Sequence, residues 1–272
     1  MTLRTLGLTM LGAAGLLSLS ACKKEEAAPA APPSTPSAPS AAPAPVAEKV
    51  HAASPIQAPS GKGVVKGTVT FTGTPPPAED LPASSDPACE GRSAKDESVL
   101  VKDGKLQNVL VRVRGAVEGV SAPSTPVVVD QSKCTYVPRV QGAMVGQSVA
   151  FKNSDGTLHN VRGLVGAKAA FNVAQPPMGA AVNKPVPADE VLKLKCDIHP
   201  WMTAYVLSNA NPFYATTGAD GAFTLQGMPA GTYTVEAWHE TFGTKTAEVV
   251  VKDDAPTDVS FAFSAADASA KK

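Results

Sequence analysis

Three segments of this chain alternate apolar and polar residues with a period of two: Gly63 to Phe71, Val109 to Val113, and Thr232 to Trp238. Successive side chains of a strand point to opposite faces, so each segment has one apolar face that must be buried against a second layer. No stretch shows a sustained apolar stripe at helical spacing between capping residues. Turn chemistry at Asp103-Gly104, Asp155-Gly156, Asp220-Gly221 and Pro229-Ala230-Gly231 divides the chain into short strands. The pattern predicts an all-β protein, with sheets packed face to face as a β-sandwich with Greek-key connections.

Within that β pattern one segment carries chemistry. Cys196-Asp197-Ile198-His199-Pro200-Trp201-Met202 offers a thiolate, an imidazole and a thioether, and a second imidazole stands upstream at His159, in Asn153-Ser154-Asp155-Gly156-Thr157-Leu158-His159-Asn160. Thiolate and thioether are soft ligands suited to Cu(I), whereas imidazole suits both oxidation states; two His, one Cys and a weak axial Met form the donor set of a mononuclear blue-copper site. An extended strand cannot direct residues 196, 199 and 202 at one point. The C-x-x-H-x-x-M spacing therefore requires a tight loop at a strand end. Pro200 suits such a loop, because it fixes its own φ and disfavours helix at His199.

These residues resemble the cupredoxins. Tyr136-Val137-Pro138, then Val145 to Asn153, then His159-Asn160-Val161 are similar to the strand, turn, strand and first copper histidine of plastocyanin-like proteins, and the ligand loop is similar to the short loop of amicyanins. The resemblance spans roughly residues 124–209. It implies a cupredoxin domain over 124–209 with one copper ion, His159, Cys196 and His199 as equatorial ligands and Met202 as the axial one.

The N-terminal sixty or so residues read differently. Arg4 precedes an apolar run from Leu6 to Leu19 that is too short to span a bilayer and fits a signal-peptide core. It ends in Leu19-Ser20-Ala21-Cys22, which resembles a bacterial lipobox; the resemblance implies a signal peptide over 1–21 and a lipid on the Cys22 sulfur. An ordinary cleaved signal with an incidental cysteine is the plainer reading. Residues 22–61 are dominated by Ala, Pro and Ser and carry too little apolar surface to offset ordering, so a disordered tether is expected. Residues 265–272 are expected to be a disordered tail. An exported chain of this kind would lie in the bacterial periplasm or at the cell surface, held to the membrane by its lipid alone. Lys23, where an Asp would retain the protein at the inner membrane, points to the outer membrane in a Gram-negative cell.

The chain has four cysteines. With Cys22 assigned to lipid and Cys196 to copper, Cys89 and Cys134 remain, and in an oxidising compartment they are expected to form a disulfide, two buried thiols being the alternative. A second resemblance covers the flanks. Thr217 to Leu225 and Met228 to Val235 are similar to the carboxypeptidase-regulatory-like β-sandwich, a non-catalytic family, and the strand from Gly63 to Gly73 is similar to its first strand. This implies a discontinuous domain, 62–123 plus 210–264, with the cupredoxin unit inserted. A tandem arrangement, with the N-terminal segment belonging to the cupredoxin, stays open.

Several residues admit two readings. Asn160 either ties the two ligand loops together by hydrogen bonds beside the ligands or closes a turn. Trp201, next to Pro200, either forms part of an exposed docking patch beside His199 or folds back as a lid. His239 and Arg139 read as surface residues. No catalytic constellation is legible, so no enzyme and no small-molecule substrate are expected. The 24 basic and 24 acidic residues balance, which gives a nucleic-acid partner no electrostatic support. The expected function is a membrane-anchored blue-copper protein that passes single electrons between protein redox partners. Copper storage or delivery is one alternative; a cell-envelope binding module with a structural copper site is the other.

Overall fold

The computed structural model describes residues 61–188 and 191–269. The signal segment, Cys22 and all of the expected tether except Gly61 lie outside the described residues. Four strands open the described chain: β1 (Gly63–Thr72), β2 (Val101–Lys102), β3 (Lys105–Leu106) and β4 (Leu110–Val113). Between β1 and β2 runs a long segment with little regular structure beyond one 3-10 turn at Pro87–Cys89. Nine strands follow: β5 (Val127–Ser132), β6 (Thr135–Val137), β7 (Val140–Met144), β8 (Ser148–Asn153), β9 (His159–Val165), β10 (Lys168–Gln175), β11 (Val182–Pro185), β12 (Val191–Lys195) and β13 (Thr203–Asn209). Six more end the chain: β14 (Tyr214–Thr216), β15 (Ala222–Met228), β16 (Gly231–His239), β17 (Gly243–Val251), β18 (Thr257–Asp258) and β19 (Phe261–Ser264). The all-β class expected from the alternating pattern is what forms. Ala265–Ser269, expected to be tail, instead makes one helical turn, α1. No helix among the described residues is long and apolar enough to cross a membrane.

The strands sort into two sandwiches. One joins the two ends of the described chain: β15-β1-β3-β2, with β18 and β19 also on β1, faces the sheet β14-β4-β16-β17. Its core is apolar and rich in phenylalanine, including Phe71, Phe213, Phe223, Phe242, Phe261 and Phe263. The other is built from the middle nine strands, as sheets β10-β9-β12-β13-β7 and β11-β8-β5-β6. Here the pairs β5/β8 and β7/β13 are parallel, so the connections cross over between sheets instead of running as simple hairpins. Val129, Phe151, Val161, Leu192, Leu194 and Val206 fill its core.

A third apolar cluster, Leu110, Val140, Leu207 and Trp238, joins the two sandwiches. The Tyr205 and Trp238 rings meet there at 5.2 Å, and the Tyr214 ring occupies the space a Cβ on Gly142 would need. Arg112 donates from Nη1 to the Ser208 carbonyl at 2.8 Å and pairs with Glu236 at 2.7 Å. Arg139 forms a two-pronged ion pair with Glu240 across the junction.

The structure corrects two expectations. Adjacent residues on a strand do face opposite ways, but β4 and β16 have both faces covered, one by their own core and the other by the second sandwich. From Val235 to His239 every residue is buried. His239 is not a surface histidine, because it lies on the face of Val235 and Ala237 that points into its own core: it is 0% exposed, stacks on Phe242 at 4.8 Å and accepts from the Thr241 N–H. Arg139 is likewise not a solvated charge but half of a buried pair.

Candidate metal centre

Two neighbouring strands position the donors. His159 is the first residue of β9, and Cys196 to Met202 connect β12, which pairs with β9, to β13. The seven-residue connection is the strand-end loop that the ligand spacing requires. It is closed by bonds from Met202 N to the His199 carbonyl (2.9 Å) and from Cys196 N to the Met202 carbonyl (3.4 Å). The His199 N–H points at the Cys196 sulfur, 3.4 Å away.

The two imidazoles meet edge-on with Nδ1 atoms 2.9 Å apart, and the Cys196 Sγ lies 3.9 Å from the His199 Nδ1. One nitrogen from each ring and this sulfur all fall within 4.8 Å of one another. His159, Cys196, His199 and Met202 are all at most 3% exposed. Met202 is buried in the same core cluster as Cys196. Cys196 is the only free cysteine among the described residues.

The protonation chemistry fits a metal. Burial opposes ionisation of Cys196, but hydrogen bonding from His159 and from the backbone N–H groups of Asn160, His199 and Ile198 outweighs it, holding the thiol below its ordinary pKa. Burial, followed by the neighbouring His159, lowers the His199 pKa against the pull of Asp86. At His159 burial is overcome by Cys196 and Asp155, and the pKa is raised. A thiolate beside a neutral imidazole is what a soft metal ion binds, and a metal would displace the proton that the two imidazoles share. The residues present fit copper.

The surroundings fix each donor. Asn160 does the tying described for it: its Nδ2 donates to Asp197 Oδ2 (2.9 Å) and Asn172 Oδ1 (2.8 Å), and its Oδ1 accepts from the Asp197 N–H (2.7 Å). Its carbonyl accepts from the Tyr136 hydroxyl at 2.7 Å. Cys89 and Cys134 are joined as a disulfide. Trp201 folds back: its indole N–H donates to the Cys134 carbonyl at 3.0 Å, its ring lies 5.2 Å from that of His199, and the Arg92 guanidinium covers it at 4.1 Å. Pro200 is exposed, as is Ile198, whereas the His199 edge itself is closed.

Two functional residues were not singled out from sequence. Asp155, read only as part of a turn, accepts from Lys133 N (2.6 Å) and Cys134 N (2.8 Å) and contacts His159 Nε2 at 2.9 Å. Its signal was its place four residues before the histidine. Asp86 accepts from Thr157 Oγ1 at 2.6 Å and Ala88 N at 2.9 Å, and lies 3.6 Å from His199 Nε2. No local pattern connects it with the ligand loop.

Comparison with known proteins finds limited likenesses. Residues 203–264, less than a quarter of the chain, match the profile of the carboxypeptidase regulatory-like domain. That match begins within the sequence of β13, ahead of the boundary expected at residue 210. No curated protein matches the chain. Among solved structures, the chain is similar to a purple cupredoxin from Nitrosopumilus maritimus (22% identity, 30% of this chain and 99% of the other, TM-score 0.28). A Cu(I) amicyanin variant gives 21% identity, 36% and 98% coverage, and a TM-score of 0.27. A copper-containing nitrite reductase from Thermus scotoductus gives 20%, 35% and 24%, and 0.28.

Proposed function

We propose that this chain is a mononuclear copper protein that carries single electrons, with His159, Cys196 and His199 as the main ligands and Met202 as the weak axial one. The observation that carries this reading is the convergence of two imidazole nitrogens and one lowered-pKa thiol in a buried pocket. Copper held there would accept and release one electron between Cu(II) and Cu(I). The protein's part is to hold the donors so that neither state requires them to move. The loop bonds from Met202 N and Cys196 N do this on one side, and Asn160 does it on the other.

The closed His199 edge and the indole bond to Cys134 support the lid reading of Trp201 over the docking-patch one. A partner would instead meet Ile198 and Pro200 on the outer side of the ligand loop, with Trp201 as a lid. The burial of all four donors favours retention of copper over its delivery to another protein. We further propose residues 124–209 as a unit inserted into a non-catalytic sandwich of 62–123 plus 210–264, a division supported by the membership of the sheets. Anchoring through a lipid on Cys22 in the periplasm or at the cell surface, with protein redox partners, completes the proposal.

The test is visible absorption and electron paramagnetic resonance of the purified protein loaded with Cu(II), before and after ascorbate. An intense thiolate-to-copper band, bleached reversibly and lost in Cys196→Ser, is the expected result. A colourless protein with tetragonal copper would overturn the electron-carrier reading.

A further inference from the structure

Both ligand imidazoles meet a carboxylate on the side away from the donor cluster. His159 Nε2 faces Asp155 at 2.9 Å and His199 Nε2 faces Asp86 at 3.6 Å, while the two Nδ1 atoms face each other. The carboxylates have different origins. Asp155 belongs to the metal-bearing sandwich, four residues before its histidine. Asp86 arrives on the segment between β1 and β2, which leaves the other sandwich, crosses to the ligand loop and returns.

That segment is held firmly over the site. Cys89 is bonded to Cys134, and one ring nitrogen of His199 lies within 4.8 Å of both disulfide sulfurs. Arg92 stacks on Trp201 and also donates to the Pro82 carbonyl. Leu81 N bonds the Ala94 carbonyl at 2.9 Å, and Lys95 pairs with Asp80 at 2.6 Å, so the segment closes on itself as a strap. Asp86 is fixed within it by Ala88 N and from outside by Thr157 Oγ1.

We infer that Asp86 and Asp155 are positioning residues for the metal centre, and that the strap exists to bring a fixed negative charge to His199 Nε2. A carboxylate behind a metal-bound imidazole fixes the tautomer and ring orientation and raises the basicity of the donor nitrogen. Two such charges, each on the far side of a ligand imidazole from the donor cluster, would favour the metal's more positive state. They therefore hold Cu(II) relative to Cu(I) and lower the reduction potential. Asp155, buried and in direct hydrogen-bond contact, has the larger effect; Asp86, at ion-pair distance, has a smaller one of the same sign.

This inference rests on the copper reading above, and its test separates the two. Asp155→Asn, Asp86→Asn and, as a control, Asp130→Asn are prepared as full chains, loaded with copper and compared in reduction potential, paramagnetic resonance parameters and melting of the metal-free form. Asp130 bonds Ser154 Oγ in the same sandwich, so its change removes a charge away from the imidazoles. For Asp155→Asn the ratio of Cu(II) to Cu(I) affinity should fall about tenfold, a rise of about 59 mV for a one-electron couple. Asp86→Asn should rise by less and Asp130→Asn should stay at the parent value. Asp86→Asn keeps the Ala88 cap, because Asn caps as well as Asp, so it reads the effect even if Asp155→Asn folds poorly. Equal potentials in all four proteins, or equal shifts in all three variants, would overturn the inference alone. A parent protein without the thiolate band would overturn the copper reading and the inference together.

Discussion

The two sandwiches have the same kind of architecture and opposite interiors. The one formed by the chain ends is filled by phenylalanine and aliphatic side chains, and its buried charges, Arg112 and Glu236, lie at the junction with its neighbour. The middle sandwich buries Gln131, Asn153, Asp155, His159, Gln175 and His199 as well as its apolar core. Most of these polar groups bond to one another or to backbone around His159 and His199; Asn153 Nδ2, for example, donates to the carbonyls of Thr157, Gln175 and Pro176. A buried polar group is costly unless its hydrogen bonds are met, so such a network is kept where it serves a site. On the copper reading proposed above, the difference assigns stability mainly to one sandwich and the chemistry to the other.

The sharpest break of that comparison is Phe263→Ala in the apolar sandwich. Phe263 is fully buried between Phe242 and His239. Its truncation should cost about 3–5 kcal/mol in denaturant unfolding. The folded variant should keep the copper spectrum of the parent. A spectrum that changes while the protein remains folded would show that the two interiors are not separable.

The junction offers the next test. Arg139 and Glu240 are both largely buried, at 16% and 5% side-chain exposure. Arg139→Ala removes the guanidinium that neutralises Glu240 and should cost about 3 kcal/mol, because a buried charge loses its countercharge. Replacing both residues by leucine should recover most of that loss. If the double variant is no more stable than the single one, the ion pair is not the tie between the sandwiches.

How much of this was legible in the sequence follows from where each constraint lies along the chain. The ligand loop was legible because its residues are close in sequence and its spacing allows one local geometry. Alternation located β1, part of β4 and β16, but it implied a solvent face on each. That implication failed at His239, which shares the inward face of Val235 and Ala237 and packs on Phe242 and Phe263 in its own core; a period of two does not say how far along a strand the core extends. Arg139 was misread for a different reason: its partner Glu240 is a hundred residues away, in the other sandwich. Asp86 was not legible at all. Its role comes from a strap that returns to the ligand loop through tertiary structure, and its own neighbourhood reads only as a turn cap. The Cys89 and Cys134 pairing was reached by elimination, without any indication that the bond would lie against a metal ligand.

That strap links the two regions, and Cys89→Ala with Cys134→Ala tests the link. Loss of the disulfide, whose cysteines are 45 residues apart, should lower stability by about 2–4 kcal/mol through the freed unfolded chain. It should also let Asp86 leave His199, so the reduction potential should move in the same direction as in Asp86→Asn. A loss of stability with no change in potential would make the bond a staple only.

The smallest effect belongs to α1, which packs on the apolar sandwich. Asp267 accepts from Ser264 N at 2.7 Å and pairs with Lys245 at 3.0 Å, while Ala268 packs on the core. Burial is the largest single influence and opposes its ionisation, but hydrogen bonds and charge from Lys245 and Ser264 together outweigh it and hold its pKa below the ordinary carboxylate value. A lowered folded pKa means the contribution is present above the unfolded pKa and is lost as the pH falls through the folded one. The pair is partly exposed, so Asp267→Ala should cost about 0.2–1 kcal/mol, screened by salt. Amide exchange at Ser264 should quicken in this variant at neutral pH, and in the parent only in acid below the usual carboxylate range. The copper spectrum should respond to neither change, because the partners of Asp267, Ser264 and Lys245, both belong to the apolar sandwich. Loosening that reached the metal centre from here would mean the whole described chain behaves as one cooperative unit, and the division of labour between the sandwiches would have to be given up.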